Sequence, residues 1–279
     1  MFPIKDILDD PKPVVRICDV GAMVHELGTE PHHSLITQGL AHVVGFEPND
    51  NERRKARELL GPDHVILPYF IGDGCRGQFR IGRFPMTSSL YEPNMALLEK
   101  FSDLAAFHEV KEVREVSTHR LDDVAELGAV DYLKMDVQGA ELDVIGGAGR
   151  TLSEAVVVQT EVELIPLYKD QPLFADIDRA LRAHGFQFHR FLQLTGKIFK
   201  PLAFKDSTKS SLGQQLWSDA IYVKDFMAFD KLAPERLLAL AIVMHEAYRS
   251  YGLVHLALEA RDRQIGGTLA AAYLELLLA

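Results

Sequence analysis

The sequence predicts an α/β fold in which a mostly parallel sheet carries helices on both faces. Its first two-thirds alternate short β-branched runs with amphipathic stretches, which is typical of such a sheet. The apolar run from Val14 to Val20 has the composition of a strand that is buried on both faces. Turn-forming or ladder-breaking residues, such as Gly21 and Pro48, follow the predicted strands.

The predicted elements follow one another along the chain. Asn49 or Asp50 is a suitable N-cap for a charged helix that Gly61 ends. Strands are predicted at residues 14–20, 41–46, 64–71, 78–81, 110–118, 130–137, 155–162, 186–194 and 220–223, the last two as an antiparallel pair. Helices are predicted at residues 31–40, 51–60, 93–107, 122–127, 140–152 and 174–184.

The composition changes near Asp230, after which no strand-like run occurs. Leu232, Leu237, Leu240 and Met244 form one helical stripe, and two more helices are predicted within residues 253–260 and 269–278. We therefore expect an α/β domain at residues 1–229 and a small C-terminal helical appendage at residues 230–279. The leucine-rich stripe is expected to pack on the domain or on a second subunit, so a homodimer through these helices is a hypothesis.

Composition and charge narrow the class of protein. The chain has 279 residues, of which 47% are hydrophobic and 25% charged, so it is expected to be globular. Its net charge of -10 argues against a nucleic-acid partner. Two cysteines form no disulfide framework, and Cys18 is expected to be a core thiol. Without a visible signal peptide or a membrane-spanning run, we expect a cytoplasmic protein that does not insert into membranes.

Acidic residues end several predicted strands, where ligands of open parallel sheets bind. Gly21 allows close backbone approach to a ligand, and Glu47, 28 residues after Asp19, is placed to accept hydrogen bonds from ribose hydroxyls. Asp73 can hold an amine such as that of adenine, and Asp136 would face a second molecule. Because the glycines of a pyrophosphate-binding loop are absent, an adenosine ligand without phosphates is predicted.

One long stretch resembles a known family. Residues 130–148, VDYLKMDVQGAELDVIGGA, are similar to the segment lKiDvEGaElevLkGa of the FkbM-type S-adenosylmethionine-dependent methyltransferases. Shorter pieces occur in the family's order at residues 19–22 (DVGA), 45–49 (GFEPN), 71–73 (IGD), 88–91 (SSLY) and 118–123 (THRLDD). Together they are specific, and the resemblance covers roughly residues 14–223.

The resemblance implies a Rossmann-like class I methyltransferase fold, S-adenosylmethionine as methyl donor, and a hydroxyl acceptor on a sugar, glycan or other natural product. The residues expected to line the cofactor are Asp19, Gly21, Ala22, Glu47, Asp73 and Ser89. Asp136 and Glu141 are expected at the acceptor as catalytic residues, with Asp136 as general base. His119 and His189 are weaker candidates for that base.

Further residues are expected to contact the acceptor. Glu161 and Glu163 flank Val162 on one strand, so their side chains share a face and, with Gln138, are expected to bind acceptor hydroxyls. A second interpretation is that Asp136 and these two glutamates hold a divalent cation. The interpretation that we adopt is acceptor binding, with no metal.

The chain departs from the family pattern at three positions. Met23 and His25 replace the asparagine and glycine of the first loop, and Gln138 replaces a glutamate. A second hypothesis is therefore a cofactor-binding protein without catalytic activity. A third is an assembly component whose C-terminal helices recruit a partner.

Overall fold

The computed structural model describes residues 2–9, 12–23, 28, 30–202 and 213–279. The strands are β1 Val15–Val20, β2 Ala41–Phe46, β3 Val65–Leu67, β4 Phe70–Ile71, β5 Arg76–Gly82, β6 Val110–His119, β7 Tyr132–Met135, β8 Val157–Glu163, β9 Phe186–Lys197 and β10 Gln214–Lys224. The α-helices are α1 His33–Thr37, α2 Asp50–Leu60, α3 Met95–Leu98, α4 Leu104–Phe107, α5 Glu141–Gly146, α6 Gly149–Glu154, α7 Phe174–Ala183, α8 Pro234–Glu246, α9 Tyr251–Ile265 and α10 Leu269–Leu278.

Seven of these strands form the main sheet, in the order β3-β2-β1-β7-β8-β10-β9. The pairs from β3 to β8 are parallel, whereas β10 runs antiparallel to both β8 and β9. The strand order reverses between β1 and β7, which is where an open sheet forms a ligand crevice. This topology confirms the predicted Rossmann-like class I methyltransferase fold with its antiparallel end pair.

Helices cover both faces of the sheet. On one face, α5, α6 and α7 pack against apolar side chains of alternate strand positions, among them Cys18, Val44, Leu133 and Val158. The other face contributes Ile17, Val43, Tyr132, Val157 and Ile221, which are packed in one cluster with α1 and the C-terminal helices. Alternation along each buried strand therefore supplies two apolar faces.

The three C-terminal helices lie directly on the sheet. Helix α8 is buried along most of its length, from Leu237 to His245, which explains why its apolar residues are not confined to a single stripe. Its Arg236 forms ion pairs with Asp131, just before β7, and with Glu154 of α6. The division into residues 1–229 and 230–279 stays a prediction, while the shared apolar cluster shows that this segment completes the core.

Four predicted elements differ in the structure, and one of them, the helix at residues 122–127, is replaced by two 3-10 turns at Leu121–Asp123 and Ala125–Leu127. The single strand at residues 64–71 is wrong: Pro68 has no N–H for a ladder, and β3 and β4 join different sheets. The helix at residues 93–107 is divided into α3 and α4, because Asp103 has a left-handed backbone (φ 67). The helix at residues 140–152 is divided into α5 and α6 at Gly147.

A small second sheet stands beside the main one. It has the order β4-β6-β5, with β4 parallel and β5 antiparallel to β6. Its chain segment lies between β3 and β7, where a helical crossover is common in doubly wound folds. The sheet thereby supplies one wall of the cavity described next.

Candidate active site

A cavity of about 600 Å³ opens at the carboxyl ends of β1, β2 and β7. Its polar lining includes Gly21, Glu47, Lys134, Asp136 and Gln138, while Phe70, Phe79, Ile81, Met86 and Leu90 form an apolar wall from the second sheet and the adjoining loop. Ligand cavities commonly measure about 300–1,000 Å³ and combine apolar walls with a few polar groups. The cavity lies at the switch in strand order that the topology identifies.

Gly21 brings the turn after β1 against the end of β7. Its backbone is left-handed (φ 84), and a Cβ here would lie 2.0 Å from the carbonyl oxygen of Asp136. Any side chain would therefore push the two strand ends apart. Gly21 therefore allows close approach of the neighbouring strand, while its predicted contact with a ligand stays a prediction.

Glu47 lies at the carboxyl end of β2 and lines the cavity. Its Oε1 accepts a hydrogen bond from the backbone N–H of Asn49 at 2.7 Å. Burial raises the pKa of Glu47 to about 7. This carboxyl group is in the position predicted for a contact with ribose hydroxyls.

Lys134 lines the cavity, although no sequence pattern singled it out. It is buried in β7, and its Nζ lies 3.2 Å from Asp19 Oδ1 and 4.0 Å from Asp136 Oδ2. Burial opposes its charge, but Asp19, Asp136 and Glu30 outweigh burial and raise the pKa of Lys134. Asp19 therefore serves the cavity indirectly, by holding this cation. A lysine within an otherwise apolar strand, next to an acidic strand end, is the signal that could have identified it.

Asp136 and Gln138 follow β7 and both face the cavity. The Asp136 side chain is 40% exposed, so its carboxylate is open to a ligand. Gln138 Nε2 donates to Asp136 Oδ1 at 2.9 Å and to Glu161 Oε2 at 2.6 Å. The structure thus brings together three of the residues predicted at the acceptor.

Glu141 and Glu163 lie behind this group, within the protein. The two oxygens of Glu141 accept hydrogen bonds from the backbone N–H groups of Val137 and Gly139, at 2.9 and 3.0 Å. Burial raises the pKa of Glu141 well above its usual value, and the neighbouring Glu163 adds to this rise. Burial also raises the pKa of Glu163 to about 7. This geometry favours a role for Glu141 in shaping the loop after β7, rather than contact with an acceptor.

Four residues predicted at the cofactor lie outside the cavity lining: Asp19, which pairs with Lys134, and Asp73, Ser89 and Ala22. Asp73 is exposed, and its Oδ1 accepts a hydrogen bond from the Cys75 N–H at 2.8 Å, which lowers its pKa. Ser89 is buried and donates to the carbonyl oxygen of Gln138 at 2.6 Å. Ala22 packs in a buried cluster with α2. Their predicted cofactor contacts stay predictions, and each side chain has another structural partner.

The two histidines that are weaker candidates for the base contact other side chains. The His119 ring contacts Tyr69 with its centroid 4.6 Å away, and His189 Nε2 lies 3.0 Å from the Ser250 hydroxyl. Met23 lines the cavity, whereas His25 lies outside the described residues. Within the described ranges, no group of three or more His, Cys, Asp and Glu side chains is arranged to hold a metal ion.

The chemistry of the cavity lining suits S-adenosylmethionine. Glu47 offers a carboxyl group for the ribose hydroxyls, and Phe46, Tyr69 and Ile71 provide apolar surface for adenine. The turn at Gly21 lies beside Asp136, so the cavity continues from the β2 end to the β7 end. The residues present therefore fit this cofactor.

Comparisons with known proteins agree with the geometry. Residues 19–188 match the family described as methyltransferase FkbM domain. The chain is 30% identical over 184 residues to the 2-O-methyltransferase NoeI of Sinorhizobium fredii (strain NBRC 101917 / NGR234), covering 63% of this chain and 74% of that protein.

Solved structures are more distant. Magnesium protoporphyrin IX methyltransferase (ChlM) from Synechocystis PCC 6803, with bound SAM, gives a TM-score of 0.38 at 14% identity, covering 76% of this chain and 71% of that one. The N-terminal domain of EvdMO1 with SAH bound gives 0.34 at 11%, covering 75% and 74%. These values are too low to support a detailed comparison.

No helix in the described part of the chain is long and apolar enough to cross a membrane. The family match covers more than half of the chain, and the sheet order and the cavity are those expected of the family. The chain therefore belongs to the FkbM methyltransferase family and is an S-adenosylmethionine-dependent methyltransferase.

Proposed function

We propose that this enzyme methylates a hydroxyl group, with Asp136 as the general base. The observation that carries this proposal is the Asp136 carboxylate, which is 40% exposed at the cavity end of β7. A hydroxyl acceptor must lose a proton as it attacks, and a well-placed base contributes about 10²–10⁴ in rate. The role of Asp136 follows from its position beside the Gly21 turn.

The neighbouring side chains support this role. When bound, S-adenosylmethionine supplies the methyl group as a sulfonium. Lys134, with its Nζ 4.0 Å from Asp136, offsets part of the negative charge around the base. Gln138 donates to the same carboxylate. Much of the remaining catalysis is the positioning of the acceptor oxygen.

For the cofactor, we propose that Glu47 contacts the ribose hydroxyls and that the Gly21 turn lies against the methionine end. Asp19 acts through Lys134. Ala22, Asp73 and Ser89 shape the surrounding turns through the contacts given above.

For the acceptor, we propose a sugar, glycan or other natural-product hydroxyl. The 2-O-methyltransferase relative supports an oxygen acceptor. Gln138 and Glu161 are the polar groups beside Asp136, with Glu163 behind them. The apolar wall formed by Phe79, Ile81 and Met86 supports an acceptor that also carries apolar surface.

The test is methyl transfer from S-[methyl-³H]adenosylmethionine to a panel of sugars, glycolipids and hydroxylated natural products. Transfer to an acceptor hydroxyl, located by mass spectrometry, supports the proposal. Transfer to nitrogen or carbon alone would contradict it. Binding of S-adenosylhomocysteine without transfer to any acceptor supports the inactive cofactor-binding protein instead.

We also propose that residues 230–279 extend the methyltransferase domain and provide a homodimer surface in a cytoplasmic enzyme. Leu274, Leu276 and Leu278 of α10 are 39%, 42% and 78% exposed, which supports an interface. Cys18 and Cys75 are unpaired, as is usual in a reducing compartment. A monomer mass that does not change with concentration in analytical ultracentrifugation would contradict the dimer. Cell fractionation tests the location.

A further inference from the structure

The side chain of Gln138 joins two carboxyl groups at the floor of the cavity. Its Nε2 donates one hydrogen to Asp136 Oδ1 at 2.9 Å and the other to Glu161 Oε2 at 2.6 Å. An amide nitrogen has two hydrogens, and both are used here. The glutamate that the family pattern places at this position would present an acceptor to each carboxylate instead.

The orientation of this amide is fixed by its surroundings. The hydroxyl of the buried Tyr168 lies 3.3 Å from Gln138 Oε1 and 3.2 Å from the carbonyl oxygen of Thr87. The Asp136 carboxylate only accepts hydrogen bonds when ionised, so the amide nitrogen of Gln138 is the atom that can donate to it. The backbone is held separately: Gln138 has φ 55, and its carbonyl oxygen accepts the hydroxyl of Ser89 at 2.6 Å. A change of side chain therefore leaves the backbone contacts in place.

The charges around Asp136 show why such a donor matters. Carboxyl groups surround it from several elements: Glu30 before α1, Glu141 of α5, Glu161 and Glu163 of β8, and Asp219 of β10. Lys134 is a cation beside Asp136, and it also pairs with Asp19. Burial, with Asp136 as a further cause, raises the pKa of Glu161 well above its usual value. A neutral double donor relieves this crowding without adding charge.

We propose that Gln138 is a positioning residue: its amide holds the Asp136 carboxylate toward the cavity and favours its ionised form, with Glu161 as the anchor on the other side. This inference rests on the proposed function of Asp136 as the base. It assigns the departure from the family's glutamate a role in the active enzyme.

The test is a carboxyl ¹³C NMR titration of the enzyme labelled at aspartate, with the Asp136 signal assigned through Asp136→Asn. In Gln138→Glu, we expect the midpoint of the Asp136 titration to move to higher pH by about one unit or more, because a third carboxyl group replaces the donor. The matched control is Gln187→Glu. Gln187 donates to Asp225 at 2.5 Å, so the substitution is the same beside a carboxylate that does not line the cavity. This control should leave the midpoint unchanged.

Gln138→Asn is the second variant, because asparagine tolerates the left-handed backbone but its shorter side chain does not reach both carboxylates. It should move the midpoint in the same direction. An unchanged midpoint in both variants would overturn the inference. The acidic limb of the kcat/KM profile should shift with the midpoint. If Asp136→Asn keeps full turnover, the proposed base is wrong, while the titration still decides whether Gln138 controls the carboxylate.

Discussion

The two ends of strand β7 carry two aspartates with different surroundings. Asp131, just before the strand, accepts hydrogen bonds from the backbone N–H and guanidinium of Arg16 and pairs with Arg236. Asp136, just after the strand, has Lys134 at 4.0 Å and a side chain that is 40% exposed to the cavity. At one end of the strand the aspartate is paired with two arginines, whereas at the other end the aspartate is exposed to the cavity.

This difference distinguishes an ion-paired edge of the sheet from the edge at which we propose the base. At the Asp131 end, burial raises the pKa of the carboxyl group, but the hydrogen bonds and charge of Arg16 more than offset burial and hold it below its usual value. At the cavity end, burial raises the pKa of Glu47 to about 7 and raises the pKa of Glu161 well above its usual value. Perturbed carboxyl groups of the second kind are typical of functional sites.

The largest expected effect is on catalysis at the cavity end. Asp136→Asn should lower kcat by about 10²–10⁴, because it removes the proposed base. The affinity for S-adenosylhomocysteine should change less than twofold, since the amide keeps the size of the carboxylate. Single-turnover methyl transfer and calorimetry measure the two quantities. A variant with wild-type kcat would contradict the role of Asp136.

The effect of Glu47→Gln on protein stability tests whether this carboxyl group is buried at the cavity. The raised pKa of Glu47 means that its contribution to stability is present below pH ~4.5 and is lost as the pH rises through about 7. At pH 8 the free energy of unfolding of the variant, measured by urea denaturation, should therefore exceed that of the wild type by up to about 3 kcal/mol. At pH 5 the two should differ much less. A difference in unfolding free energy that is the same at both pH values would contradict the assigned burial.

Asp131→Asn tests the opposite end. The pKa of Asp131 is lowered, so its stabilising contribution is present above pH ~4 and is lost as the pH falls. The substitution should cost about 2–3 kcal/mol at pH 7, less than for a fully buried pair because Arg16 is partly exposed. Urea denaturation at pH 7 and pH 4 measures it. Cofactor affinity in the folded variant should not change, and a large loss would show that the two ends are coupled.

Two glycine substitutions compare a crowded backbone position at the cavity with an open position elsewhere. Gly21→Ala should weaken binding of S-adenosylhomocysteine at least tenfold (~1.4 kcal/mol), because its Cβ would meet the Asp136 carbonyl at 2.0 Å. Gly39→Ala is the matched control: it has φ 69 but nothing within 4 Å of the added Cβ. It should cost about 1–2 kcal/mol of stability and leave affinity unchanged. Equal affinities in both variants would contradict the role of the Gly21 turn.

Much of the fold could be predicted because its signals are local. Short apolar, β-branched runs predicted the strands of the main sheet. The DVGA, GFEPN and KMDVQGAE segments indicated which strand ends form the site. Breaks within elements were harder to predict. The left-handed Asp103 and the sheet change at Pro68 depend on tertiary contacts that periodicity does not report.

Within the site, strand-end position identified Gly21, Glu47, Asp136 and Gln138, which line the cavity. It also identified Asp19 and Asp73, which lie outside the lining. The family resemblance placed Glu141 at the acceptor as well, but its carboxylate turns inward to the N–H groups of Val137 and Gly139. Side-chain direction at a loop depends on which backbone donors lack partners. Residue type and spacing do not report that.

The location of the cofactor in this cavity is tested most directly by calorimetric titration of S-adenosylhomocysteine into the wild type and into Glu47→Ala. We predict binding in the micromolar range for the wild type and an affinity at least tenfold lower (~1.4 kcal/mol) for the variant. That result would place the cofactor in the cavity at the carboxyl ends of β1, β2 and β7. Absence of binding to the wild type at millimolar ligand, or equal binding by both proteins, would contradict it.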